Sequence, residues 1–408
     1  MTAQSRTTCV IVGGGPAGLV LGLLLARGGI RVTVLEKHRD FLRDFRGDTV
    51  HPSTLRLLDD LGLFDRFEAL PQSKVRQFRL PQAGGGEVAV ADLGRLRTPH
   101  PYIAMVPQWD LLDLLAQSAA AEPSFTLLHE HEVTGVLRGD GAVRGVTFRG
   151  PDGDGELRAD LTVACDGRWS VVRRALELPS TPFAVPFDVW WFRVTTGRRL
   201  AEALLPRIRR GRIGIAIPRR GYVQVAWIGR KGTDAALRAR GIDAFRAAVA
   251  ELLPDLADDV GSIASLDDVR HLDVRVDRLR RWHANGVLCI GDAAHAMSPV
   301  GGVGINLAVQ DAVAAARVLA GPLSRGTLSG RRLGWVQRRR MMPTIVIQTL
   351  QRVMHARVIA PVISGRKAVV VPRAVGILFR VVPALSVVPA YLIGIGPRPE
   401  RAPTWARR

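Results

Sequence analysis

TCVIVGGGPAGLVLGLLLARGGIRVTVLE, residues 8–36, reads as strand, glycine turn, helix and second strand. Cys9–Val12 is a β-rich apolar run, Leu19, Leu23, Leu24 and Leu25 share a helical surface, and IRVTVLEKH resumes as a strand ending at Glu36. Such a βαβ unit of about thirty residues is the minimum for a parallel strand pair. Its turn is Gly13-x-Gly15-x-x-Gly18. The first glycine permits the tight turn, the second lets backbone approach a pyrophosphate, and the third lets helix and strand pack closely. The helix N-terminus then offers free N–H groups to the anion. Glu36 stands at the end of the second strand, where its carboxylate can accept both hydroxyls of a ribose. The pattern predicts a dinucleotide and does not by itself separate NAD from FAD.

Two further stretches repeat the arrangement of apolar strand, turn and helix. In CDGRWSVVRR, residues 165–174, Asp166-Gly167 ends a strand, and Ser170 and Arg173 begin a helix. In CIGDAAHAMSPVGGVGINLAVQDA, residues 289–312, Asp292 sits at a strand end, where it can accept hydrogen bonds from sugar-like hydroxyls. Pro299 fixes the backbone there, and Gly301, Gly302 and Gly304 let main chain lie flush against a flat ring. A helix starting near Gly304 directs its positive end at that ring. His295 reads as a structural residue that satisfies the polar groups of the turn.

The three motifs in this order resemble the class A flavoprotein monooxygenases, the p-hydroxybenzoate hydroxylase-like family. The resemblance covers about 1–320 through GGGPAGL at 13–19, DGRWSVVR at 166–173 and GDAAH…P…GG.G.N….DA at 291–312. It implies a Rossmann-like FAD domain, a β-sheet substrate domain above the flavin, and hydroxylation by a flavin C4a-hydroperoxide made from NADPH or NADH and O₂. Carried over by position, Gly13, Gly15, Gly18, Glu36 and Arg46 hold the ADP half, with Pro16, Ala17, Lys37 and Val133 completing that set. Asp292 binds the ribityl chain, beside Gly291, Pro299 and Gly302, and Gly304, Ile305 and Asn306 meet the pyrimidine edge. Asp166 belongs with pyrophosphate recognition. Gln108 stands where many relatives place arginine, and Val303 replaces the common Gln or Lys of the glycine loop. No second GxGxxG is present, in keeping with a nicotinamide that docks transiently.

The expected architecture is α/β, with a discontinuous FAD-binding domain (1–72, 102–178 and 275–330) and a β-sheet substrate domain (73–101 and 179–274). HPSTLRLLDDLGLFDRF is expected to be a helix with Ser53 as its N-cap, VRQFRLPQAGGGEVAVADL a hairpin, and 240–254 one helical insert in the second domain. Period two sets Tyr222, Gln224 and Ala226 on one strand face. Tyr222, which resembles a substrate-facing tyrosine of the hydroxylases, Gln224 and Arg193 are therefore the candidate substrate contacts. No catalytic acid or base is identifiable. A flavin halogenase or prenyl-chain reductase is the rival enzyme class, although the Trp-x-Trp-x-Ile-Pro signature of halogenases is absent. A non-catalytic FAD-stabilised binding module is the rival outside enzymes.

Of the 408 residues, 47% are hydrophobic, fitting a globular chain with ample core. The three cysteines, Cys9, Cys165 and Cys289, lie in apolar runs with neither disulfide nor zinc spacing, which predicts a reducing, cytoplasmic setting. The net charge of +20 is concentrated in the region 331–408, which holds 14 Arg and one Lys against the single acid Glu400. That region is expected to form short helices broken at Pro372, Pro383 and Pro389. They either cap the FAD domain or contact an anionic membrane surface peripherally; sparse aromatics and no binding motif argue against nucleic acid.

Overall fold

The computed structural model describes residues 5–42, 49–198, 206–219, 221–366 and 370–408. Its main sheet runs in the order His283–Ala284, Val287–Cys289, Gly153–Ala164, Ser5–Val12, Val32–Leu35, Phe125–Leu128. Ser5–Val12 pairs parallel with Val32–Leu35 on one side and with Gly153–Ala164 on the other, and Val287–Cys289 is parallel beyond that. Central parallel strands are covered on both faces and so read as unbroken apolar runs; Val10, Ile11, Val34 and Val163 are completely buried. The covering helices include Pro16–Arg27 and the long Val303–Ser324, whose inner faces share one core with the sheet.

Register makes this sheet a binding platform. Val12 stands opposite Leu35 and Ala164, and Ala164 opposite Cys289. Four strands therefore end on one rung, and Gly13, Glu36, Cys165-Asp166 and Ile290–Asp292 all follow at the same edge. The carboxyl edge of a parallel sheet is where such folds bind ligands.

A second, antiparallel sheet runs Pro206–Arg209, Arg212–Arg219, Tyr222–Arg230, Phe187–Thr195, Arg270–Leu272. The chain enters and leaves it through Ser180–Phe183 and Val276–Leu279, which pair with each other. Its outer face, with Trp190, Phe192, Val225 and Trp227, packs on helix Gly241–Leu252. The expected single helical insert is two helices, because Gly241, at φ 79°, breaks Asp234–Ala239 from its successor.

The hairpin Gln77–Pro81/Glu87–Asp92 forms as expected. Ser53 does not cap its helix. Pro52 occupies the first helical position of Pro52–Asp60, His51 precedes it as N-cap, and the Ser53 hydroxyl donates instead to Asn306 Oδ1 at 2.6 Å. The C-terminal region begins with Gly330–Met354, then continues as Arg373–Val381, a 3₁₀ turn and Val387–Gly394. Breaks fall at Pro372 and Pro383 but not at Pro389. Pro389 is the third residue of its helix, where the absent N–H has no intrahelical partner to lose.

This region clasps the parallel-sheet layer. Glu400, nearly completely buried, stands 3.6 Å from Arg317; Arg401 reaches Asp60; and Arg408 reaches Glu122. His51 Nδ1–H donates to Ile393 O at 2.7 Å. Burial pulls the His51 imidazole down from 6.5 to about 4, a shift that its carbonyl contacts offset only in part. The folded state therefore binds fewer protons than the unfolded chain between these pH values. The stability from this site is complete above pH 6.5 and drains away as pH falls toward 4, by about 3 kcal/mol. His51→Gln is expected to flatten the acid limb of the thermal-melting profile; an unchanged limb contradicts this assignment.

Candidate functional site

A single cleft of about 790 Å³ opens from the carboxyl edge of the parallel sheet and reaches the inner face of the second sheet. Gly13, Gly15, Pro16, Ala17, Glu36, Lys37 and Val133 line one end. Asp166, Arg168, Asp292 and Pro299 line its middle, followed by Gly302, Gly304, Ile305 and Gln108. Gly18, Gly291 and Asn306 lie behind the wall, and Arg46 lies outside the described residues.

The three glycines of the first turn are glycines for different reasons. At Gly13, φ is 101° and a Cβ would stand 2.7 Å from Cys165 O. At Gly18 a Cβ would stand 2.0 Å from Gly13 O. Both are demanded by the protein's own backbone. Gly15 has an ordinary extended conformation, φ −79° and ψ −175°, and a Cβ there would meet nothing within 4 Å. Packing does not require glycine at this position, yet the residue faces the cleft at the start of a helix that has no side-chain cap. Its backbone N–H groups are left for an anion.

Glu36, almost fully buried, accepts from Gly14 N at 2.8 Å and His38 N at 3.0 Å, which fixes its carboxylate at the cleft wall. Asp166 Oδ2 accepts from Val171 N at 2.7 Å, while its Oδ1 is buried without a hydrogen-bond partner. Burial raises this carboxyl above the ordinary range, and the bonds from Ser170, Val171 and Val172 offset only part of the rise. Ser170 caps its helix by accepting from Arg173 N at 3.0 Å. Arg168 joins the second motif to the third, standing 3.8 Å from Asp292 and donating to Asp273 O. Arg168 was missed from sequence, although it lies inside the quoted motif.

The third motif supplies the floor. Gly302, left-handed at φ 64°, precedes Val303–Ser324, another helix that opens on the cleft without a side-chain cap. Its carbonyl accepts from Thr49 Oγ1 at 3.0 Å. The Asn306 side chain turns away: Oδ1 accepts from the hydroxyls of Ser53 and Thr54, so its amide serves packing against Pro52–Asp60. His295 also points away from the cleft, to Asp311 Oδ2 at 2.5 Å. Asp311 further accepts from Gly291 N at 3.1 Å and Arg340 Nε at 2.9 Å, tying the loop of Asp292 to the C-terminal region.

The far end of the cleft is apolar, lined by Phe78, Ile103, Met105, Trp191, Ile215 and Ile217 with Ala226 and Leu272. Tyr222, Gln224 and Arg193 occupy the same sheet face, because Trp191 pairs with Ala226, Arg193 with Gln224 and Thr195 with Tyr222. They stand further along it, outside the cleft lining. The Arg193 guanidinium lies over the Trp109 and Tyr222 rings at 5.8 and 4.9 Å, closing the end beside Gln108. The Gln224 amide is buried there, with its nitrogen unpartnered.

The uncapped helix ends at Gly15 and Gly302, an orphaned buried carboxylate oxygen and an open glycine form an extended cradle that fits a dinucleotide bearing a flat ring. Comparison with known proteins agrees. Residues 6–347 match the FAD binding domain family. The chain belongs to this family, and it is an FAD-dependent monooxygenase. It is 37% identical over 388 residues to 6-methylpretetramide 4-monooxygenase of Streptomyces rimosus, covering 92% of this chain and 90% of that one. It is also 28% identical to para-nitrophenol 4-monooxygenase of a Pseudomonas species, over 78% of each chain. Among solved structures, an anhydrotetracycline hydroxylase from Streptomyces rimosus superposes with a TM-score of 0.76 at 25% identity, covering 95% of this chain and 76% of that one.

Proposed function

We propose that this chain hydroxylates an electron-rich, fairly apolar aromatic molecule of the size class named for its relatives, 6-methylpretetramide and anhydrotetracycline, using NADPH or NADH and O₂. One observation carries the reading: the dinucleotide cradle and the apolar sheet face are two ends of one cleft. Bound FAD, reduced by a nicotinamide, supplies the oxygen chemistry.

The chain's own residues bind, orient and exclude water. The N–H groups behind Gly15 hold the pyrophosphate, Glu36 the adenosine ribose, and Lys37 and Val133 flank that end. Asp292, held near Arg168, accepts from the polyol chain. The N-terminus of Val303–Ser324, with Gly304 and Ile305, faces the pyrimidine edge, where its dipole favours developing negative charge. At the sheet end, no side chain lining the cleft among the described residues is an acid, a base or a thiol. The protein therefore contributes dryness and position there, and reactivity rests on the substrate's own electron-rich ring. Tyr222, Gln224 and Arg193 serve this site by closing its end.

The test is nicotinamide oxidation by the flavin-loaded protein with anhydrotetracycline and with p-nitrophenol. The larger phenol is expected to stimulate turnover more strongly and to gain one oxygen atom. A chlorinated product, or one gaining only two hydrogens, contradicts the reading. Ala226 faces the cleft between Trp191 and Ile215. Ala226→Trp is expected to lower kcat/KM for the larger phenol about tenfold or more while flavin content stays constant. An unaffected kcat/KM would place the substrate elsewhere.

A further inference from the structure

The C-terminal helices Arg373–Val381 and Val387–Gly394 are apolar on two sides. On the inner side, Val387, Ala390 and Ile393 share a cluster with Ile103, Met105 and Ile217, which also line the cleft. The outer side carries Val375, Leu378, Val381, Val388 and Tyr391 in solvent, with Val381 73% and Val388 61% exposed. Among the described residues, every exposed large apolar side chain except Leu42 and Trp169 lies between Met342 and Trp405. Met342, Ile345, Val346 and Val353 add a stripe at helical spacing on Gly330–Met354. The exposure is therefore a property of this region rather than of the surface at large, and apolar patches of this kind mark interaction sites.

Charge decides between partners. Residues 331–399 contain no Asp or Glu, and Arg352, Arg357, Arg366, Arg373 and Arg380 are exposed among the apolar side chains. A second copy of the chain would set cations against cations. An anionic lipid surface complements both the charge and the apolar face. The two helix segments meet at a bend of 102°. Arg373–Val381 has nine residues, which is about 14 Å of helix and too short to span a bilayer. It suits a segment lying in the headgroup boundary, with its apolar face down and arginine heads at the phosphates.

We propose that the outer face of these helices docks the protein on an anionic phospholipid surface, setting the wall of the substrate cleft against the bilayer. Flavin-loaded full-length protein is sedimented with vesicles of phosphatidylcholine alone and of phosphatidylcholine with phosphatidylglycerol, at low and raised salt. Binding is expected only with phosphatidylglycerol and is expected to weaken as salt screens it. Val381→Asp combined with Val388→Asp is expected to weaken binding about tenfold or more, with flavin content and nicotinamide oxidation unchanged. Arg373→Glu is expected to weaken it as well. Failure to sediment with anionic vesicles overturns the proposal, as does binding that ignores the double aspartate variant. A dimer that dissociates on making that variant also overturns it, because a second copy then covers the face.

Discussion

Gly15→Val is expected to give a folded, colourless protein. The backbone at Gly15 is one that valine adopts readily, and the position of its Cβ is empty within 4 Å. The apo-chain therefore loses only the modest advantage of glycine as N-cap. The new methyl groups would stand in the cleft at the mouth of helix Pro16–Arg27, where the pyrophosphate is assigned. Excluding an anion from that position should weaken FAD binding about 100-fold or more, equivalent to ~2.7 kcal/mol. Flavin fluorescence titration of the apo-protein measures this, with thermal melting as the control for folding. Gly18→Ala is the contrast. Its Cβ would lie 2.0 Å from Gly13 O, so that variant should lose stability before any ligand is added. If Gly15→Val retains FAD with parental affinity, the pyrophosphate lies elsewhere.

Arg340→Leu is expected to destabilise the protein by about 3 kcal/mol, because it strips a partner from a buried carboxylate. Asp311 is wholly inaccessible and Arg340 is 1% exposed. Burial alone would raise the Asp311 carboxyl, but His295 and Arg340 overcome that and hold it below its ordinary range. The stability from this group is present above the unfolded carboxyl range and is lost as pH falls through the depressed folded value. Removing Arg340 raises that folded value, so the variant should also unfold at a higher pH on the acid side. Asp311→Leu combined with Arg340→Leu should recover part of the loss, since neither member of the Asp311–Arg340 pair is then buried without the other. Thermal melting across pH reads both effects; a loss below about 1 kcal/mol in the single variant contradicts the network's role.

The parallel sheet, the three turns at its carboxyl edge and the 77–92 hairpin are legible because each is set by local pattern. Strand runs, glycines and the acid after each strand fall within a few residues of one another. What local pattern hides is pairing at a distance. Ser53 fits the capping rule, yet its hydroxyl is recruited by Asn306, 253 residues away. Asn306 fits a flavin contact by position, yet its side-chain oxygen accepts from Ser53 and Thr54 instead. Tyr222, Gln224 and Arg193 share the sheet face of Trp191 and Ala226, because alternation fixes the face. How far along it the cleft extends depends on Phe78, Met105 and Trp109 from other segments, which no strand pattern reveals. Arg340, bonded to Asp311 and 4.0 Å from Glu400, likewise joins three segments with no shared motif.

Supplying oxygen-18 gas to the FAD-loaded protein, with NADPH or NADH and an electron-rich polyphenol such as anhydrotetracycline, tests the central claim most directly. One oxygen-18 atom in the hydroxylated product for each turnover, with none taken from labelled water, is the predicted result. Oxygen derived from water, or nicotinamide oxidation that yields only hydrogen peroxide with every aromatic substrate tried, would contradict it.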